Sequence, residues 1–224
     1  MIRGAVFDVD GVLLDSMQIW NDLGARYLRK QGLVPEAGLN EILFSMSMEQ
    51  GAAYLKKAYS LPDTQEEIVQ GIGGMLRDFY YHEVLTKPGV MEVLNFLKEN
   101  QVAMALATSS PGEHVESALK RNGVWDFFAP NLFTTGELGV SKHQPDIYYK
   151  AAAALGTTPQ ETLVFEDSLY ALVTAQRAGF LPVGVYDADG ERNQEEMKKA
   201  ARLYIKDFYE FKAHWGDLQR KDEE

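Results

Sequence analysis

Four short apolar runs along the chain have the pattern of buried parallel β-strands. Strands that are covered on both faces contain continuous apolar residues, whereas half-exposed strands alternate apolar and polar positions. The runs are continuous, and they lie at 2–9, Val102–Thr108, Thr162–Asp167 and Leu181–Tyr186. They predict four strands of one sheet.

Helical patterns separate these runs. Apolar residues recur at helical spacing in four segments, and a glycine that can end a helix follows three of them. The segments are Val90–Asn100, Glu113–Asn122, Ile147–Leu155 and Leu169–Ala178. Alternation of strands and helices predicts an α/β fold, here a Rossmann-like, doubly wound parallel sheet with helices on its faces.

The segment 16–86 interrupts this alternation, because it contains helical patterns and no convincing strand. The helical patterns are Met17–Gln31, Met48–Tyr59 and Thr64–Glu83. One crossover helix is enough to join two parallel strands, so we predict a helical domain inserted at 16–86 into a core made of 1–15 and 87–224. The alternative is that these helices pack directly on the sheet. The charged residues 220–224 are expected to fray.

Composition excludes several classes of protein. The chain has 224 residues, of which 46% are hydrophobic, and its 22 basic and 33 acidic side chains give a net charge of −11. This charge argues against a nucleic-acid-binding surface but allows a small anionic substrate, since local fields can oppose the net charge. The absence of cysteine excludes disulfides and thiolate chemistry. Without a secretory signal or a run long enough to span a membrane, we expect a cytoplasmic protein with no membrane partner.

Two carboxylates, Asp8 and Asp10, follow the first apolar run directly. Residues two apart in an extended chain point to the same side, so both acids are expected to face one spot at the end of a strand. Like charges this close are unfavourable unless a cation or a shared proton offsets them. Gly11 then allows a sharp turn. The pattern suggests a metal-dependent reaction on an anionic substrate.

Two later predicted strands also end in polar residues, Thr108–Ser110 and Glu166–Ser168. Ligands of open α/β sheets bind beyond the carboxyl ends of the strands, so these groups are expected to share one site with Asp8 and Asp10. Lys142, in the polar loop Gly139–Pro145, could supply a cation. Clustered hard oxygen ligands suit Mg²⁺ better than zinc, and hydroxyls, backbone amides and a lysine suit a phosphate.

The motifs and their order along the chain resemble those of the haloacid dehalogenase superfamily. The matching motifs are Asp8-x-Asp10-Gly11-Val12, Thr108-Ser109, Lys142 with Pro145-Asp146, Glu166-Asp167-Ser168, and Ala178-Gly179. The resemblance covers the whole core, and the helical insertion occupies the position of that superfamily's helical cap. Within the superfamily, the chain is similar to the subgroup of beta-phosphoglucomutases and small sugar-phosphate phosphatases.

The resemblance implies a role for each matching residue. Asp8 would attack phosphorus and carry the phosphoryl group as an aspartyl phosphate, and Asp10 would act as general acid and then as general base. The implied Mg²⁺ ligands are Asp8, the backbone carbonyl of Asp10, Asp167, and Glu166 as a direct or an indirect ligand. The implied phosphate-binding groups are Thr108, Ser109, Lys142 and the turn at Gly11. The catalytic set is then Asp8, Asp10, Thr108 and Lys142.

The function implied is Mg²⁺-dependent hydrolysis of a small phosphomonoester, with a sugar phosphate as the expected substrate and a monomer or weak homodimer as the expected state. A sugar phosphomutase is the first alternative. Beta-phosphoglucomutases usually have a histidine and an arginine in the cap where this chain has Trp20 and Met48, which favours the phosphatase. A non-enzymatic phospho-acceptor signalling module is the second alternative, and the order of the motifs disfavours it.

Overall fold

A six-stranded parallel β-sheet forms the centre of the core. The computed structural model describes residues 1–43 and 46–219. Within them the strands are β1 Gly4–Phe7, β2 Ala103–Thr108, β3 Leu132–Thr134, β4 Thr162–Glu166, β5 Leu181–Val185 and β6 Leu203–Ile205. The order in the sheet is β3-β2-β1-β4-β5-β6, and every neighbouring pair is parallel. The predicted doubly wound α/β class is confirmed, and the strand order reverses beside β1, where such folds bind ligands.

The four predicted strands are all present, with bounds that are one to four residues shorter in total than the apolar runs. The sequence patterns do not predict β3 and β6, which lie at the two edges of the sheet. Each has three residues, which is too short to show a period, and each is only partly buried. The sheet is therefore wider than the sequence indicates.

Strand β1 occupies a central position and is buried along its whole length. Phe7 pairs in register with Leu106 on one side and with Phe165 on the other. Its ring stacks on that of Phe165 with the centroids 4.2 Å apart. Apolar contacts on both faces thus fix the strand that leads directly to Asp8.

Within the described part of Ser16–Glu83, the regular elements are all helices, joined by loops. The helices are α1 Met17–Lys30, α2 Leu39–Leu43, α3 Met48–Ala58 and α4 Gln65–Asp78, followed by the π-helical turn Phe79–Glu83. Capping boxes begin α3 at Ser47 and α4 at Thr64, where each side chain accepts a backbone N–H of the first turn. The helical pattern predicted over Thr64–Glu83 is present to its end, but its last turn has π-helical hydrogen bonding, which the pattern does not indicate.

The core helices flank the sheet. They are α5 Val90–Glu99, α6 Gly112–Arg121, α7 Thr135–Leu138, α8 Asp146–Leu155, α9 Leu169–Arg177, α10 Gln194–Ala200 and α11 Trp215–Gln219. Helix α8 packs Tyr148 and Ala151 into a buried cluster with Val6, Ala105 and Val164 from three neighbouring strands. Within 1–43 and 46–219, every helix is too short or too polar to cross a bilayer.

The chain forms two compact units. One consists of Met1–Asp15 together with the chain from Val84 onward, and the other is Ser16–Glu83. The outgoing and returning segments of the first unit pair side by side, since Asp15 N–H donates to the Leu85 carbonyl and Lys87 N–H donates to the Leu13 carbonyl, each at 2.9 Å. The fraying expected of 220–224 concerns residues outside those described.

Candidate active site

The position of Asp8 follows from the pairing of β1. Its backbone N–H continues the ladder by donating to the Phe165 carbonyl at 3.0 Å. The chain then turns at once, because Gly11 adopts a left-handed φ of 73° and the amides of Leu13 and Leu14 both donate to the Val9 carbonyl. A rigid strand and a tight turn thus hold Asp8 at the carboxyl edge of the sheet, where it is 8% exposed.

Three buried acids meet at this edge. Asp8 follows β1, and Glu166 and Asp167 lie at the end of the adjacent strand β4. One carboxylate oxygen from each of the three lies within 4.8 Å of the others. The structure therefore brings together acids that are more than 150 positions apart in the sequence, as the parallel pairing requires.

Lys142 lies between two of these acids. Its Nζ donates to Asp8 Oδ1 at 2.5 Å and to Glu166 Oε1 at 2.8 Å. Burial alone would lower the pKa of Lys142, but the carboxylates of Asp8 and Glu166 outweigh burial and raise that pKa above its ordinary value. The residue is therefore a permanent cation within the cluster.

Glu166 has two differently bonded oxygens. Its Oε1 accepts from both Lys142 and the Tyr148 hydroxyl, which lies at 2.7 Å. Its Oε2 is buried and has no hydrogen-bond partner among the described residues. A buried carboxylate oxygen without a partner is costly, and a cation would satisfy it. The all-oxygen donor set of Asp8, Glu166 and Asp167 suits Mg²⁺, so the residues present fit that ion.

The protonation of the cluster reflects its low solvation. Burial raises the pKa of Asp8 well above its ordinary value, and Glu166, Asp167 and Asp10 act in the same direction, while Lys142 opposes them. Burial, together with Glu166, also raises the pKa of Asp167 to about 7. The cluster thus contains three carboxyl groups and one ammonium group, and a second cation would reduce the remaining repulsion between the carboxylates.

Asp10 lies beside this cluster and not in it. Among the described residues, the group of three close carboxylates does not include its side chain, so its predicted metal role concerns the backbone carbonyl. Its Oδ2 accepts from the Ser110 hydroxyl at 2.6 Å, and the Ser110 amide donates to Thr108 Oγ1 at 3.0 Å. This chain of contacts orients Asp10. Thr108 is fully buried, whereas Ser109 is exposed.

Sequence reasoning missed two residues near the site. The Tyr148 hydroxyl orients the predicted metal ligand Glu166, and Lys87 is buried with its Nζ on the Gly11 carbonyl at 2.8 Å. Ser110, by contrast, was expected at the site from its place at the end of β2, and its contact with Asp10 agrees with that expectation. Tyr148 and Lys87 carry no local signal, because their partners lie 18 and 76 positions away.

Comparison with known proteins identifies the class. A sequence model of the haloacid dehalogenase-like hydrolase family matches residues 2–179. That range spans the central strands, the helical insertion and all the acids described above. The chain therefore belongs to this family, and the predicted family and the hydrolase class are confirmed.

Individual relatives agree with this assignment. The chain is 26% identical over 178 residues to the phosphorylated carbohydrates phosphatase of Thermotoga maritima, with 80% of this chain and 82% of that protein covered. It is 28% identical over 185 residues to hexitol phosphatase B of Escherichia coli K12, with 79% and 80% covered. A Thermotoga maritima crystal structure assigned provisionally to the beta-phosphoglucomutases matches with a TM-score of 0.84 at 23% identity over 95% of this chain and 98% of that one. This last likeness shows the fold.

Proposed function

We propose that the protein is a Mg²⁺-dependent phosphatase that hydrolyses a small phosphomonoester, most specifically a sugar phosphate, through an aspartyl phosphate on Asp8. One observation carries the proposal. A buried Asp8 lies 2.5 Å from the ammonium of Lys142 and within one cluster with Glu166 and Asp167. Phosphoryl transfer needs a positioned nucleophile and neutralised charge more than it needs complex covalent chemistry, and this arrangement supplies both.

In the first step, a carboxylate oxygen of Asp8 attacks phosphorus and the bond from phosphorus to the leaving oxygen breaks. Asp10, in its protonated form, gives its proton to that oxygen. Ser110 supports this role because its hydroxyl donates to one Asp10 oxygen at 2.6 Å and so holds the carboxyl group in position. The products of the step are an alcohol and a phosphorylated Asp8.

In the second step, Asp10 is ionised and takes a proton from water as that water attacks the phosphorus atom carried by Asp8. The bond between the Asp8 oxygen and phosphorus breaks, inorganic phosphate leaves, and Asp10 recovers its proton. The same residue thus serves as acid and then as base, which returns the site to its starting state.

Charge balance determines the rest of the site. Asp8, Glu166, Asp167 and the backbone carbonyl of Asp10 would hold Mg²⁺, which supplies the positive charge that a phosphate dianion needs beside several carboxylates. Lys142 binds a phosphoryl oxygen and screens the acids. The remaining phosphate donors are the backbone amides of Ser109 and of the turn at Val9–Asp10, together with the hydroxyl of Thr108.

Thr108 is suited to donate to the phosphoryl group. Its Oγ1 accepts from the Ser110 amide at 3.0 Å, and a hydroxyl that accepts in this way still has its own hydrogen to give. Its complete burial also raises the value of each hydrogen bond it makes.

The substrate class rests on the relatives. Two of the most similar curated proteins are phosphatases of phosphorylated carbohydrates and of hexitols by name, and we extend that class to this chain. We also propose that the helical segment 16–86 is the cap domain of the enzyme, inserted into a core of 1–15 and 87–224. Trp20 and Met48 carry no positive charge with which to bind a second phosphate group, which favours hydrolysis over a mutase reaction.

The test is a panel of sugar phosphates, nucleotides and pyrophosphate assayed for released phosphate and for rearranged product. Sugar phosphates should release phosphate with Mg²⁺ and not with EDTA. Asp8→Asn should lose turnover and Asp126→Asn, at an exposed site, should keep it. Turnover that persists in Asp8→Asn or without metal would contradict the proposal. Conversion of a hexose 1-phosphate into its isomer without release of phosphate would establish the mutase alternative.

A further inference from the structure

Lys87 is a buried lysine that the proposed reaction does not use. It lies just after the point where the returning chain pairs with the outgoing one. Its Nζ donates to the Gly11 carbonyl at 2.8 Å, to the Tyr186 carbonyl at 2.6 Å and to Asp187 Oδ2 at 2.9 Å. An ammonium has three donors, so all of them are used, and each goes to a different residue.

These three contacts join two loops. Gly11 belongs to the turn that directly follows Asp8. Lys87 makes two hydrogen bonds to this turn, since its backbone N–H also donates to the Leu13 carbonyl at 2.9 Å. Tyr186 and Asp187 begin the loop after β5. Lys87 therefore connects the nucleophile turn to a loop on the far side of β4, which lies between β1 and β5 in the sheet.

The loop after β5 lies against Asp167. A Cβ added at Gly190 would lie 3.1 Å from Asp167 Oδ2 and 3.1 Å from Asp187 Cβ. The loop backbone therefore lies so close to the Asp167 carboxylate that a side chain at position 190 would be crowded. Asp187 also shapes the loop, since its Oδ1 accepts the Asp189 amide at 2.9 Å. The buried pair of Lys87 and Asp187 thus stabilises the loop that lies against Asp167.

We propose that the Lys87–Asp187 pair is a positioning device that sets the placement of Asp8 relative to Asp167 by tying the Gly11 turn to the loop after β5. The inference rests on the proposed function, because it assigns the pair to the site where Asp8 and Asp167 share Mg²⁺. Neither residue touches a reacting group. Their effect passes through the two loops, as it does for residues behind metal ligands in general.

The test needs variants that remove the pair without leaving a buried charge. Lys87→Met alone would leave Asp187 buried and unpaired, which is strongly destabilising. The double variant Lys87→Met/Asp187→Asn removes both charges, and the amide oxygen of Asn can still accept the Asp189 amide. The matched control is Lys199→Met/Glu196→Gln, which removes a surface ion pair of 2.7 Å whose lysine side chain is 70% exposed.

Three measurements separate positioning from a structural role. Calorimetric titration with Mg²⁺ alone gives the metal affinity, steady-state kinetics give kcat and KM, and hydrogen exchange reports on the two loops. In a folded double variant we expect Mg²⁺ affinity and kcat each to fall by about 10-fold or more, with KM little changed. Amides in 9–14 and 186–191 should exchange faster than in the wild type, while those of α5 should not. The control should match the wild type in all three.

A folded double variant with wild-type Mg²⁺ affinity, kcat and loop exchange would overturn the inference. Should the double variant fail to melt cooperatively, Asp187→Asn decides, because the Lys87 ammonium keeps its two carbonyl acceptors and the amide oxygen of Asn can replace the third: a loss of Mg²⁺ affinity supports positioning, and an unchanged affinity and kcat overturn it. A wild type that neither binds Mg²⁺ nor releases phosphate would instead refute the proposed function, and the inference with it. The wild-type measurement therefore distinguishes the two failures.

Discussion

The metal-free protein is expected to lose stability as the pH rises from 5 to 7, and the buried carboxyl of Asp167 is one reason. Burial raises the pKa of this carboxyl from its ordinary value of 3.8 to about 7. At pH values between these two pKa values, Asp167 keeps its proton in the folded chain and has released it in the unfolded chain. The free energy of unfolding falls with rising pH wherever the native state holds more protons. The stabilisation is present at acid pH and is lost as the pH passes through 7.

The size of the effect follows from the separation of the two pKa values. Each pH unit between them changes the free energy of unfolding by about 1.36 kcal/mol. Because the folded group is half ionised at pH 7, the interval from pH 5 to 7 corresponds to about 2 kcal/mol. Asp167 is 6% exposed, so solvent screening reduces this little. The raised pKa of Asp8 acts in the same direction. In a chain of this length, about 2 kcal/mol lowers the melting temperature by about 4–8 °C.

The assay is thermal melting after EDTA treatment and removal of the chelator, at pH values from 5 to 8, with Asp167→Asn as the reference. The variant lacks the titrating group, so the difference between it and the wild type isolates the contribution of Asp167. Saturating Mg²⁺ should flatten the wild-type curve, because the ion binds the ionised carboxylate and releases its proton. A metal-free wild type that parallels Asp167→Asn across this range, or gains stability towards pH 7, would refute the reasoning.

Three substitutions test the contacts around the acids. Tyr148→Phe removes a 2.7 Å hydrogen bond to Glu166 and should cost about 1.5–3 kcal/mol in urea unfolding; a change below about 0.5 kcal/mol would contradict that contact. Ser110→Ala removes the 2.6 Å hydrogen bond to Asp10 and should lower kcat about 10-fold for poor leaving groups and much less for p-nitrophenol, and an equal loss for both would count against the role of Asp10. Lys142→Met should reduce kcat by about 10³ and destabilise more at pH 8 than at pH 5, as melting curves would show; equal destabilisation would exclude its pairing with ionised acids.

The sequence predicts the interior of the sheet well because buried parallel strands leave a strong pattern. Ala5, Val6 and Phe7 are apolar on both faces of the sheet, as a central strand requires. The edge strands Leu132–Thr134 and Leu203–Ile205 escape prediction because they are short and partly exposed. The π-helical turn after Asp78 escapes it because five residues are too few to distinguish the period of a π turn from that of an α-helix.

The candidate site could be predicted as far as strand ends determine it. Asp8 and Glu166 had to meet once β1 and β4 were parallel neighbours. The polar loop around Lys142 suggested a cation, and the resemblance implied its role. The supporting contacts could not be predicted, because they depend on how α8 and the loop after β5 pack in three dimensions. Tyr148 reads in sequence as one more apolar position of a helix, and Lys87 reads as a residue of a polar linker.

The central place of β1 has a consequence for the order in which the molecule is built. Of the six strands this one is synthesised first, yet Gly4 pairs in register with Ala103 and Thr162, which leave the ribosome much later. The helical segment Ser16–Glu83 is a compact unit and can acquire its structure earlier, since domains fold as units during translation. Long-range pairing closes slowly, so the strand that leads to Asp8 is made before the other strands and is among the last to be fixed in place. Competence for chemistry therefore coincides with completion of the sheet.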